Sequence, residues 1–153
     1  MRQTTLALVF DNESNIILCM KKRGFGVGLY NGAGGKVEIG ETIIAGAKRE
    51  LFEETSIDVS ENDLKYVGVL HFYFDTNTDW NQDVNLYVVK NYVGDFVESE
   101  EMKPEKFKIS DIPFDKMWED DIIWLPRVIN NEEVEYDFIF DENGKIRDFK
   151  IIK

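Results

Sequence analysis

The 153 residues include one cysteine, one histidine and three prolines. A lone Cys19 allows no internal disulfide and fits a reducing cytoplasm. Basic residues are scarce: 18 Lys and Arg against 30 Asp and Glu leave a net charge of −12. That balance excludes a protein that coats a nucleic-acid polymer, although Lys21-Lys22-Arg23 forms one local basic run. Long apolar runs are missing too. The opening MRQTTLALVFDNE is too short for a signal peptide, and no segment approaches membrane-spanning length. These absences predict a soluble, cytoplasmic protein with no membrane partner, expected as a monomer.

What is present suffices for one core. With 43% hydrophobic and 13% aromatic residues, the chain is expected to form a single domain over residues 1–153. TTLALVF and NIILCMK read as two strands joined by DNES, a hairpin. Six of the eleven glycines then fall between Gly24 and Gly35, marking a loop that turns sharply or approaches a ligand. From Thr42, a candidate N-cap, to Thr55 the pattern is helical, with Ile44, Ala47 and Leu51 on one stripe. LKYVGVLHFYF and DVNLYVVKNYV read as strands, with His71 in a structural role. Ten acids and four lysines between Asp95 and Asp121 predict a surface connection. DDIIWLPRVIN predicts a second helix with Pro126 in an early turn. The alternating end of the chain around Asn143-Gly144 predicts a hairpin. The expected fold class is α/β of the α+β type, with a mixed sheet and two principal helices.

The first helix carries an arrangement that works against its own stability. Glu50, Glu53 and Glu54 lie three and four residues apart on one face, where like charges cost about 0.2–0.5 kcal/mol per pair. They also sit near the C-terminus, where the macrodipole disfavours them. Gly46 and Ala47, one turn earlier, are expected to leave space beside the acids. Alone, such a cluster in so acidic a chain reads as a solvated helix face. A divalent cation would reverse the repulsion, and Mg²⁺ takes a few carboxylates together with phosphates and water. Arg49 is placed to pair with Glu53 or to reach back to Glu41.

Gly35, five residues, Glu41, seven residues, Arg49-Glu50-Leu51, one residue, Glu53-Glu54, then Ser56-Ile57 resembles the Nudix box. The resemblance implies a Nudix-like α/β/α sandwich and a hydrolase acting on nucleoside diphosphates linked to another group. Its cofactor would be Mg²⁺, with Mn²⁺ the alternative. Glu50, Glu53 and Glu54 would be catalytic metal ligands, joined by the Gly35 carbonyl, while Glu41 and Arg49 would hold loop against helix. Ser56 departs from the family's usual glycine; a left-handed backbone there would cost serine about 1–2 kcal/mol.

MKKRGFGVGLYNGAGGKVE, ESEEMKP and IPFDKMWEDDIIWLP together resemble the MutT-related branch that hydrolyses oxidised purine nucleoside triphosphates such as 8-oxo-dGTP to monophosphate and pyrophosphate. By this resemblance Asn31, Asp120 and Asp121 would read the base edge, Trp118 and Phe72 would stack on it, and Thr5, Lys21 and Phe25 would line the pocket. Glu101 would be an extra ligand or base, although in ESEE it reads more simply as a solvated acid. Read singly, Trp118 and Phe72 are ordinary core, Asp120-Asp121 are helix N-terminal acids, Asn31 is a turn residue and Lys21 a strand-end lysine. Tyr30, Gln82 and Glu119 depart from the branch pattern and bear on which base is preferred. Two alternatives stay open: another Nudix pyrophosphatase, for a nucleotide sugar or dinucleotide, and a non-enzymatic nucleotide sensor.

Overall fold

β-Branched and other apolar residues in near-continuous buried runs, such as LALVF, IILC and LYVV, make strands covered on both faces, each face by a different helix. The computed structural model describes residues 1–153. Its main elements are β1 (Arg2–Phe10), β2 (Asn15–Lys21), β3 (Tyr30–Asn31), α1 (Ile43–Thr55), β4 (Lys65–Phe74), β5 (Gln82–Val89), β6 (Met102–Lys108), α2 (Asp121–Ile129), β7 (Val134–Phe140) and β8 (Ile146–Ile151). They form one mixed sheet in the order β3-β2-β1-β5-β4-β7-β8, with β6 on the other edge of β2. The β1–β5 and β4–β7 pairs are parallel.

One face of the sheet presents Leu6, Leu8, Leu70, Leu86 and Phe138 to Trp124, Leu125 and Val128 of α2. The other packs Val9, Ile17 and Val89 against Ala47 and Leu51 of α1. The result is the expected α/β/α arrangement. No helix is long and apolar enough to cross a membrane.

β1 and β2 form the expected hairpin only near its turn, at Val9↔Ile17 and Phe10↔Ile16. Beyond that they part, and the glycine-rich loop enters the gap: Ala33 bridges to Ala7 and Lys36 to Thr4. Backbone contact is so close that a Cβ on Gly34 would lie 1.8 Å from the Thr5 carbonyl oxygen. The same constraint recurs at a bulge in β4. Gly68 has φ +145°, and a Cβ there would lie 1.9 Å from the Val134 carbonyl oxygen of β7.

α1 begins where Thr42 predicts, with its side chain accepting the Ala45 N–H at 3.2 Å. It ends at Ser56, which is left-handed at φ 66° and donates its N–H to the Phe52 carbonyl.

Three sequence expectations are corrected or refined. The acidic stretch after Asp95 is not all connection, because β6 lies within it and pairs with β2 over seven positions. Pro126 lies in the second turn of α2, where its missing N–H removes the bond the Ile122 carbonyl would accept; the helix ends three residues later, at Ile129. In the β7–β8 hairpin only Gly144, at φ 74°, is left-handed. Asp141 organises that turn, accepting the N–H groups of Asn143 and Lys145 at 2.8 and 3.0 Å.

Candidate functional site

The loop and α1 are joined by Arg49. Its guanidinium donates to both oxygens of Glu41, at 2.7 and 3.1 Å, and to the Lys36 carbonyl at 3.0 Å. The same side chain reaches Glu50 at 3.0 Å and Glu53 at 3.2 Å, so both pairings expected of Arg49 occur together. Glu41 in turn accepts the Glu38 N–H at 2.8 Å. The space beside Gly46 is not left for a ligand. A Cβ there would meet Glu41 at 3.0 Å and Val37 at 3.2 Å, so the glycine admits the loop itself.

The three acids differ sharply in environment. Glu53 is largely exposed, whereas Glu54 is buried. Glu54 accepts the Gly34 N–H at 3.1 Å through Oε1, while Oε2 is buried without a partner. Burial pushes its carboxyl up to about 8, against the opposing effect of the Gly34 bond. Glu50 is also raised, first by burial, although Arg49 works the other way. Gly35 lies so close that a Cβ would stand 2.6 Å from the Glu50 carboxyl. Its carbonyl accepts the Thr5 N–H at 2.9 Å, and a second lone pair remains.

This donor set fits a hard divalent cation. Buried, under-partnered oxygen ligands beside a backbone carbonyl are what such an ion prefers, and the burial cost at Glu54 is one that a cation would offset. The three acids are not drawn together as a closed cage, because Glu53 turns toward Arg49. Glu101 is exposed and paired with Arg23 at 3.5 Å, with Lys21 4.0 Å away.

Beside the acids, a cavity of about 690 Å³ opens between the sheet and the α2 side. Thr5, Lys21, Phe25, Asn31, Phe72, Trp118, Asp120 and Asp121, all singled out in the sequence, line it together. Phe25 stacks on Trp118 with centroids 5.2 Å apart, and Phe72 packs edge-on against Phe140 at 5.0 Å. Asp120 precedes α2 and accepts the Trp124 indole N–H at 2.8 Å. Both aspartates are buried, and Asp121 Oδ2 has no partner. Burial raises Asp120 to about 6 and Asp121 further, with Asp120 adding to the rise at Asp121.

Several lining residues were not anticipated. Lys36 is exposed at the loop, Trp80 meets Phe25 at 5.7 Å, and the hairpin tip from Asp141 to Gly144 closes one side. Adjacency to Gly35 was the one sequence signal for Lys36. Of the three pocket departures, only Gln82 lines the cavity. Tyr30 instead packs on Phe107 and donates to Glu105, while Glu119 accepts the Ile146 N–H at 2.9 Å.

The NUDIX domain family model matches residues 1–128. The chain is similar to an oxidized purine nucleoside triphosphate hydrolase of Danio rerio, at 42% identity over 96% of this chain and 92% of the relative. A protein of the same name from Mus musculus is 39% identical, with 98% and 94% covered. Among solved structures, a MutT protein from Bacillus halodurans superposes with a TM-score of 0.87 over 99% of this chain and 98% of that one. At 22% identity, that last likeness is one of fold.

Proposed function

Because the chain belongs to the Nudix hydrolase family, we propose that it hydrolyses oxidised purine nucleoside triphosphates, such as 8-oxo-dGTP, to monophosphate and pyrophosphate. The relatives from Danio rerio and Mus musculus are named oxidized purine nucleoside triphosphate hydrolases, which supports this substrate class. The observation that carries the reading is the junction of two sites at one loop. Gly34 and Gly35 line the base-sized cavity, and the same two residues touch Glu54 and Glu50. A nucleotide whose base fills the cavity has its phosphates led out past the acids.

Within this reading Glu50, Glu53 and Glu54 hold a divalent cation, Mg²⁺ or Mn²⁺, with the Gly35 carbonyl as a further donor. Such a cation would supply charge neutralisation on the phosphates and an activated water. The chain's own residues do the rest. Lys21 and Lys36 offer ammonium groups at the phosphate end of the cavity. Trp118 provides a stacking face, an interaction worth about 1–3 kcal/mol per base in nucleic-acid binders. Asp120 and Asp121, with Asn31, meet the base edge with a donor and an acceptor. Burial of the base excludes water from those contacts and strengthens them. Glu41 and Arg49 position the loop. Residues 1–153 act in this reading as one catalytic domain, working as a monomer in the cytoplasm, where nucleotide pools are held.

A substrate panel with Mg²⁺ tests the proposal. 8-oxo-dGTP and 2-hydroxy-dATP should release pyrophosphate at higher kcat/KM than dGTP, nucleotide sugars or dinucleotides. Preference for a nucleotide sugar or dinucleotide would reassign the substrate, and no hydrolysis at all would leave a nucleotide-binding protein. Asp120→Ala should lower kcat/KM for the oxidised purines by one to two decades more than for dCTP, the equivalent of losing a charged hydrogen bond.

A further inference from the structure

Where β1, β5 and β4 run side by side, the floor of the cavity is mostly apolar. Leu6, Leu70, Phe72 and Val84 form most of it, and the side chains of Thr4 and Gln82 interrupt them. These two are in hydrogen-bond contact: the Thr4 hydroxyl shares its one hydrogen between Gln82 Oε1 at 3.0 Å and the Asp83 carbonyl at 3.2 Å. Gln82 Nε2 donates to the Trp80 carbonyl at 3.1 Å. A carbonyl only accepts, so the amide nitrogen has to face Trp80, and the oxygen has to face Thr4. The orientation of the carboxamide is thereby set before any ligand arrives.

A carboxamide has two N–H donors and two acceptor lone pairs. The Thr4 and Trp80 bonds use one of each, leaving one N–H and one lone pair beside the cavity. Around them the cavity is lined by the rings of Phe72, Phe74 and Trp80 and by Arg2, whose guanidinium donates to the Asp79 carbonyl at 3.0 Å. Burying an unsatisfied polar group costs free energy, so this amide favours a ligand that brings a donor and an acceptor side by side.

Oxidation of a purine at C8 creates that pair. An ordinary purine shows a bare acceptor at N7 and a C–H at C8. The 8-oxo form shows an N7–H donor next to a C8 carbonyl acceptor. We infer that Gln82 is a specificity-determining residue whose carboxamide, oriented by Thr4 and the Trp80 carbonyl, reads the oxidised N7–C8 edge. The inference rests on the nucleotide reading of the cavity and adds to it how oxidised and ordinary purines are told apart.

The test uses ratios of kcat/KM from single preparations, which cancel any difference in folded fraction. Gln82→Met keeps the length of the side chain and removes its polar atoms. The 8-oxo-dGTP to dGTP ratio, and the 8-oxo-dATP to dATP ratio, should each fall about tenfold. The 2-hydroxy-dATP to dATP ratio should not move, because oxidation at C2 leaves the N7–C8 edge ordinary. Thr4→Val, which releases one anchor of the amide, should lower the 8-oxo ratios by a smaller factor in the same direction. Unchanged 8-oxo ratios in Gln82→Met, or an equal fall in the 2-hydroxy ratio, would overturn the role of Gln82 alone. A wild-type protein inactive on every oxidised purine would overturn the substrate reading along with it.

Discussion

Arg49 and Glu41 form a two-bond clamp between helix and loop, at 2.7 and 3.1 Å, with both side chains mostly out of solvent. Planar guanidinium meets planar carboxylate, a match that an ammonium cannot reproduce. Arg49→Lys should therefore destabilise the protein by about 1–2 kcal/mol, the scale of a lost charge-assisted bond. Urea unfolding measures it. A loss below a few tenths of a kcal/mol would show that the clamp is ornamental.

Glu53→Gln and Glu54→Gln should each lose most Mg²⁺-dependent turnover for different structural reasons but with a shared outcome. Glu53 gives up only an exposed pairing with Arg49, worth well under about 1 kcal/mol. Glu54 gives up a buried carboxyl oxygen that has no partner. Neither variant should melt appreciably lower than wild type, and Glu54→Gln should melt at the same temperature or higher. Full turnover in both at saturating Mg²⁺ would remove these acids from the metal site.

Stability should change with pH through His71. Its ring lies between Asp83 at 2.6 Å and Glu135 at 2.7 Å. Burial alone would lower its pKa, but the two carboxylates outweigh burial and raise it above 6.5. The folded state thus holds this proton more tightly than the unfolded chain. The contribution is complete below pH 6.5 and is lost as pH rises through the higher folded value. Asp83 runs the other way: burial raises it, His71 overcomes that, and its pKa is lowered from 3.8. Its contribution is present above pH 3.8 and is lost as pH falls through the lower folded value. Thermal melts from pH 5 to 9 should show a decline with rising pH that His71→Asn makes shallower, the remainder belonging to buried carboxyls such as Glu54, raised to about 8. An identical slope in the variant would assign the decline elsewhere.

Ser56→Gly should stabilise the fold by about 1 kcal/mol, because the left-handed backbone at φ 66° suits glycine at a helix end. Differential scanning calorimetry would register this as a rise in Tm. A fall would mean that the serine side chain contributes more than its backbone strain costs.

Glu50, Glu53 and Glu54 stood out through their spacing on one helix face, whereas the eight residues that line the cavity were named only through the family resemblance. Thr42 marked the start of α1 as an N-cap, whereas Ser56, left-handed where glycine would be at ease, was a departure rather than a mark of its end. β6 was hidden for a physical reason. As an edge strand it carries Lys103, Lys106 and Lys108, the charges that protect an exposed edge, and Pro104, which an edge tolerates. Those residues read as a linker. The parallel pairings of β1 with β5 and β4 with β7 leave no local mark, since each joins strands far apart in the chain. For the same reason the sequence did not show that Trp80 and the Asp141–Gly144 tip reach the cavity. Gln82 stood out only as a departure; its contact with Thr4 depends on β1 lying beside β5, strands far apart in the chain.

The bulge glycine in β4 has a consequence well away from its own position. β7 lies flush with β4 because Gly68 has no side chain to hold the Val134 carbonyl away. Phe138 and Phe140, farther along β7, and the turn that follows take their positions from that contact. A single methyl group at residue 68 would tilt the whole C-terminal ribbon like a door on a packed hinge. Helix, acids and clamp would be intact in such a protein, yet the chamber for the base would have lost a wall.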